Sequence, residues 1–130
     1  MPRKQSQKEN SRPSELELQV LSVLWDKGPA SVRDVMNSLP DGKQRAYTSV
    51  LSVMQVMEKK RLLTHTRQGN THIYKPTKPR RAVVDPLMKR LASNIFNGSK
   101  VSMVQSLLGS EKLTDAELAK LEQLIESKKK

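Results

Sequence analysis

Apolar residues in the first third of the chain repeat at helical spacing. From Leu16 they recur at Val20, Val23 and Leu24, the three- and four-residue steps that line up on one helix face. Ser14 precedes the run and Glu17 follows three residues later, the pattern of a capping box that satisfies the first unpaired backbone N–H groups. Leu18, Leu21 and Trp25 carry the apolar surface almost all round, which predicts a central helix in a small core. Gly28-Pro29 ends it. Ser31 as N-cap and Asp34 in the first turn open a shorter helix with Val32, Val35, Met36 and Leu39 as its apolar face. Pro40-Asp41-Gly42 breaks that helix, and the basic turn Lys43-Gln44-Arg45 leads into a third over roughly 46–60.

The pattern then changes period. Leu62-Leu63-Thr64-His65-Thr66 and Thr71-His72-Ile73-Tyr74 are β-rich runs on either side of Gln68-Gly69-Asn70, a hairpin signal closed by Pro76 and Pro79. Helical spacing returns in Val83, Val84, Leu87, Met88, Leu91, Ile95 and Phe96, up to Asn97-Gly98. A short piece with Val101, Met103, Val104, Leu107 and Leu108 is expected to end at Gly109. A second capping box, Thr114 with Glu117, precedes Leu118, Leu121, Leu124 and Ile125.

The expected fold is mainly α with a small β-hairpin. It comprises a basic, disordered arm over 1–13, a winged helix-turn-helix domain over 14–79 and a helical dimerisation region over 80–130. The last region presents three apolar stripes in a segment of the size, roughly 40–60 residues, at which a lone core is marginal. Its faces need a partner, and the alternatives are a second copy or the winged domain of the same chain. A second copy is favoured, with Leu87, Leu91, Ile95, Phe96, Val104, Leu107, Leu108, Leu118, Leu121, Leu124 and Ile125 at the interface. A two-fold dimer also matches a palindromic DNA site, with two reading helices about 34 Å apart.

Composition narrows the function classes. The 130 residues include 24 Lys plus Arg against 13 Asp plus Glu, a net charge of +11, so a polyanion is the leading partner class. The stretch 59–84 holds Lys59, Lys60, Arg61, Arg67, Lys75, Lys78, Arg80 and Arg81 without a single carboxylate. There is no Cys, hence no disulfide, thiolate nucleophile or thiolate metal ligand. No apolar run approaches the roughly 18 residues of a membrane span, and none near the start resembles a signal peptide. The expected setting is the cytoplasm, without membrane insertion.

On a helical wheel the third helix puts Val50, Val53, Met54 and Met57 on one side and Thr48, Ser52, Gln55 and Lys59 on the other. Leu51 and Val56 flank the second stripe. An ordinary exposed face pairs Glu with Lys; this one offers hydroxyls, an amide and an accessible aliphatic. Hydroxyls and amides suit base edges in a major groove, and Leu51 suits a thymine methyl. Glu58, the helix's lone acid, is expected to project away from the groove. The plainer alternative is a tolerated polar surface, with Leu51 and Val56 packed on the tail. Lys43, Arg45, Lys59 and Arg67 are the phosphate-binding candidates, and Tyr47 either closes the core or reaches a phosphate.

Catalytic chemistry finds no support. His65 and His72 fall diagonally on one hairpin face if Gly69-Asn70 is a two-residue turn, but no third ligand is evident; no metal is expected. The carboxylates Glu15/Glu17, Asp115/Glu117 and Glu122/Glu126 suit capping and solvation. Neither a Gly-rich phosphate loop nor a nucleophile–base signature appears. The chain is expected to be no enzyme and to need no cofactor.

Several of these features, taken in order, resemble the penicillinase repressor family of winged-helix regulators, which includes methicillin-resistance and copper-responsive repressors. They are Glu17-Leu18 with Val23-Leu24-Trp25 and Gly28; Ala46-Tyr47-Thr48-Ser49-Val50-Leu51; Met57, Lys60 and Leu62; and Gly69 ahead of Tyr74 and Pro76. In the tail they are Phe96-Asn97-Gly98-Ser99, Val104, Leu107-Leu108, Leu113-Thr114, Glu117-Leu118 and Leu121. The resemblance implies a homodimeric repressor on an inverted-repeat operator in double-stranded DNA. It implies relief when a cognate membrane sensor-protease brings about cleavage in the C-terminal region. It places the recognition helix at 47–60, with Thr48, Ser49 and Ser52 reading bases, and the wing at 64–74. Val56 stands where an Arg is common, and Arg61 replaces the usual Gly before the strand. The thiolates of the copper-sensing branch are absent, and 82–96 contains no Asn-Phe marker of a cleavage site. Two other functions fit the charge: a non-specific architectural nucleic-acid-binding protein, and an adaptor docking an acidic protein.

Overall fold

The computed structural model describes residues 13–110 and 112–130. The basic arm expected over 1–13 thus lies, apart from Pro13, outside the described residues. In chain order the elements are α1 (Glu15–Lys27), α2 (Val32–Asn37), α3 (Tyr47–Lys59), β1 (Leu63–Gln68), β2 (Thr71–Pro76), α4 (Arg80–Ile95), α5 (Lys100–Ser110) and α6 (Asp115–Lys128). They divide into two compact units, one ending at Val84 and one running from Asp85 to Lys130.

The first unit is the expected winged helix-turn-helix. The capping box of α1 forms in both directions, with Ser14 N donating to Glu17 Oε1 at 2.7 Å and Glu17 N donating to Ser14 Oγ at 3.2 Å. Ser31 Oγ accepts from Asp34 N at 3.1 Å and starts α2. Val20, Leu21 and Leu24 of α1 meet Val32 and Val35 of α2, Leu39, and Val50, Met54 and Met57 of α3. Leu63 and Tyr74 cap this core from the hairpin. Side chains of this size stabilise the fold by about 1.5–3 kcal/mol each when fully buried, so the small core is concentrated where α1, α3 and the hairpin converge.

β1 and β2 pair antiparallel, with His65 opposite Tyr74 and Arg67 opposite His72. Gly69 takes φ 61° at the first position of the two-residue turn, where a β-carbon would be strained. The strands run further than their β-rich cores, to Gln68 and Pro76, because each residue gains a partner across the ladder. Tyr74 N donates to Ala30 O at 2.8 Å and Ala30 N to Tyr74 O at 3.0 Å, tying the α1–α2 connection to the hairpin as a single β-bridge. The turn out of α3 keeps the geometry that a glycine usually serves. Arg61 adopts φ 65°, Arg61 N donates to Glu58 O at 3.0 Å and Leu62 N to Met57 O at 2.9 Å, the two bonds of a Schellman ending.

α4 starts before the second unit, at Arg80, and contains Pro86. Asn97 at φ 51° and Gly98 at φ 82° unwind its end, and Ser99 Oγ accepts from Ser102 N at 3.1 Å to start α5. Phe96-Asn97-Gly98-Ser99 is therefore a stop followed by a restart. Gly109 does not end its helix as expected: α5 continues to Ser110, since a glycine breaks a helix only where it takes a conformation that other residues avoid. Thr114 and Glu117 form the second reciprocal box at 3.0 and 3.1 Å. No residue of α4, α5 or α6 is fully buried. Among the described residues no helix is long and apolar enough to cross a membrane.

Candidate nucleic-acid interface

α3 carries the candidate reading face. Val50, Met54 and Met57 sink into the core on one side, which turns Thr48, Ser49, Ser52, Gln55 and Lys59 outward, all exposed. No acid lies in the first turn, and the N-cap Ala46 has no side-chain cap, so the leading N–H groups and the positive end of the helix dipole face outward. Leu51 is half-buried and packs on the core, leaving only part of its side chain for a base. Val56 is 45% exposed.

The loop entering α3 is organised by Asp41. Its Oδ1 accepts from Arg45 Nη1 and Lys43 N at 3.0 Å each, and its Oδ2 from Arg45 Nη2 at 2.7 Å and Gln19 Nε2 at 3.1 Å. Asp41 N donates back to Gln19 Oε1 at 3.3 Å. Hydrogen bonds from Arg45, then from the Lys43 backbone, hold this carboxyl well below the usual carboxylate range, and the same pairing raises Arg45. Arg45 is thereby a strut of the loop, with its charge partly offset; the Lys43 side chain and Arg67 at the hairpin tip stay exposed.

The far end of α3 is held twice. Lys60 Nζ donates to both oxygens of Glu17 at 3.1 Å, so the acid that caps α1 also anchors the residue closing α3. Glu58 does not project away as expected: it lines a surface hollow with Ser52, Gln55, Lys59 and His65, and its Oε2 lies 2.6 Å from His65 Nδ1. The physical reason is tertiary, because β1 runs back along α3 and presents an imidazole to it. His65 and His72 are diagonal on one face as the turn predicts, their rings stacked at 4.2 Å and 12°. Near-parallel rings do not aim their nitrogens at a common point, and the described residues contain no group of three metal-ligating side chains. Burial, then the negative charge of Glu58, pushes the Tyr74 hydroxyl upward.

Four contacts had little signal in the sequence. Arg33 lies over the Tyr47 ring, 5.2 Å from its centre. Trp25 Nε1 donates to Lys78 O at 3.0 Å. Arg80 covers the Trp25 ring at 5.5 Å and pairs with Asp26. The last two pin the segment after the wing to the end of α1. Only the abundance of Arg near isolated aromatic residues hinted at them.

A family model described as "Penicillinase repressor" matches residues 13–127. The penicillinase repressor of Bacillus licheniformis is 23% identical over 116 residues, covering 89% of this chain and 91% of that protein. The transcriptional regulator BlaI of Mycobacterium tuberculosis is 35% identical over 79 residues, 60% of this chain and 57% of that protein. Among solved structures, Bordetella bronchiseptica BpsR, studied for regulation of its DNA binding by 6-hydroxynicotinic acid, superposes with a TM-score of 0.52 at 21% identity. That match covers 92% of this chain and 82% of BpsR and speaks to the fold.

Proposed function

The chain belongs to the penicillinase repressor family of DNA-binding transcriptional regulators, and on that premise we propose that it is a homodimeric repressor of an inverted-repeat operator. The observation that carries this reading is the exposed polar stripe Thr48, Ser49, Ser52 and Gln55 on a helix held at both ends, with the neighbouring acid Glu58 engaged by His65. In the proposed complex these side chains read base edges while Lys43, Tyr47, Lys59 and Arg67 meet phosphates. Arg45, engaged by Asp41, contributes mainly by shaping the loop.

Dimerisation is proposed through the second unit. Leu107, Ile125 and Leu124 are 65%, 57% and 54% exposed, with Leu91, Ile95, Val104, Leu108 and Leu118 also open to solvent. An unpartnered apolar surface of this kind marks an interface, and a two-fold pair would present two reading helices to successive turns of a duplex. Family membership supports cytoplasmic action and relief of repression by cleavage in the C-terminal region under a membrane sensor-protease.

Selection of bound fragments from genomic DNA, followed by competition with random duplex at physiological salt, tests the reading. A specific repressor is expected to prefer its selected site by at least about 10³-fold. Near-equal affinity would instead identify an architectural nucleic-acid-binding protein.

A further inference from the structure

A cavity of about 390 Å³ opens between α2, the start of α3 and the hairpin. Its wall includes Ser31, Arg33, Tyr47, Asn70 and His72, with Leu51 among the apolar lining. Among the described residues no carboxylate lines it. Hydroxyls, an amide, a guanidinium and an imidazole supply hydrogen-bond donors from three separate elements. Arg33 has no carboxylate partner among the described residues and lies against Tyr47 instead. The nearby acid, Glu58, is engaged by His65, whose ring in turn stacks on His72.

We propose that this cavity seats one phosphate diester of the duplex backbone, with Arg33 on the helix-turn-helix side and His72 on the wing side. The inference rests on the DNA-binding reading above and adds two residues to it. A guanidinium fork matches phosphate geometry, and Tyr47 limits the positions open to it. The Glu58–His65–His72 chain holds the imidazole at the wall. A phosphate gripped from both sides would set the pitch at which α3 enters the groove, so Arg33 and His72 are positioning residues that read no base. Free phosphate shares the same chemistry and is the competing source of anion.

The test uses the full chain, random-sequence duplex and, separately, inorganic phosphate. Arg33→Gln should reduce the log–log salt slope of duplex binding by about 0.9, with Arg33→Lys restoring part of it and thermal melting unchanged. His72→Ala should weaken binding to all duplexes alike, without changing base preference. An unchanged slope in Arg33→Gln, or unchanged duplex affinity in His72→Ala, overturns the proposal. Inorganic phosphate that shifts the Arg33 and His72 resonances while the Arg33→Gln slope stays unchanged assigns the cavity to a free anion and overturns the duplex seat. A Thr48→Ala/Ser52→Ala variant separates the two levels. If it loses base preference while Arg33→Gln keeps the parent slope, the seat falls and the interface stands. Failure of the parent chain to bind any duplex removes both.

Discussion

Arg61 holds a left-handed backbone, φ 65°, because the Schellman bonds ending α3 need that conformation to turn the chain into β1. For a residue with a β-carbon the conformation costs about 1–2 kcal/mol. Arg61→Gly is therefore expected to raise unfolding stability by about 1 kcal/mol, read as an increased denaturant midpoint at constant slope. At the same scale, readers and clamps should separate. Thr48→Ala or Ser52→Ala should cost about 1–3 kcal/mol at particular base positions. Arg67→Ala should weaken binding to all duplexes alike and lower the salt slope by about one unit. Two variant classes with one phenotype would erase that distinction. The exposed stripe was legible in the sequence because α3 has a regular period and one apolar side. The engagement of Glu58 with His65 was not, since its partner comes from another element.

At the scale of elements, α3 is positioned by ties that local patterns only half announce. Glu17 reads as a capping residue, and it is one; its second bond, to Lys60, depends on α1 and α3 crossing in the folded state. Lys60→Met removes the partner of a buried carboxylate and should destabilise the winged unit by about 1–3 kcal/mol, measured by chemical denaturation. Asp41 reads as a helix breaker, yet it gathers Arg45, the Lys43 backbone and Gln19. Because its folded carboxyl is held below the ordinary value, its contribution is complete above about pH 4 and lost as pH falls further, through the folded value. The stability gap between the parent chain and Asp41→Asn should accordingly be largest near neutrality and shrink in acid; a gap independent of pH would show that the carboxylate charge does not organise the loop. Secondary structure of these elements was readable from caps and spacing. The cross-ties were not, because residues 43 positions apart carry no shared local signal.

For the molecule as a whole, burial is lopsided. The winged unit closes a core around Tyr74, Leu21 and Met54, whereas α5, α6 and the part of α4 from Asp85 onward leave most of their large aliphatic residues exposed. Replacing Leu107 and Leu124 together with Lys is expected to convert the proposed dimer to a monomer in sedimentation velocity while the winged unit keeps its melting transition. Operator affinity should fall with it, since two linked half-sites become two independent ones. A variant that remains dimeric would move the interface away from these stripes.

Caps, breakers and apolar period determined, without help from tertiary structure, that this chain makes three helices, a hairpin and a helical tail, with a basic wing and an exposed polar stripe on the third helix. Those features depend on neighbours within a few residues, and propensity and periodicity act over that range. Only the fold decided that Glu58 holds His65, that Arg45 serves Asp41, and that Arg33, Tyr47 and His72 share one cavity. These are meetings of side chains far apart in sequence, chosen by how helices and strands pack, and no local pattern encodes a packing angle.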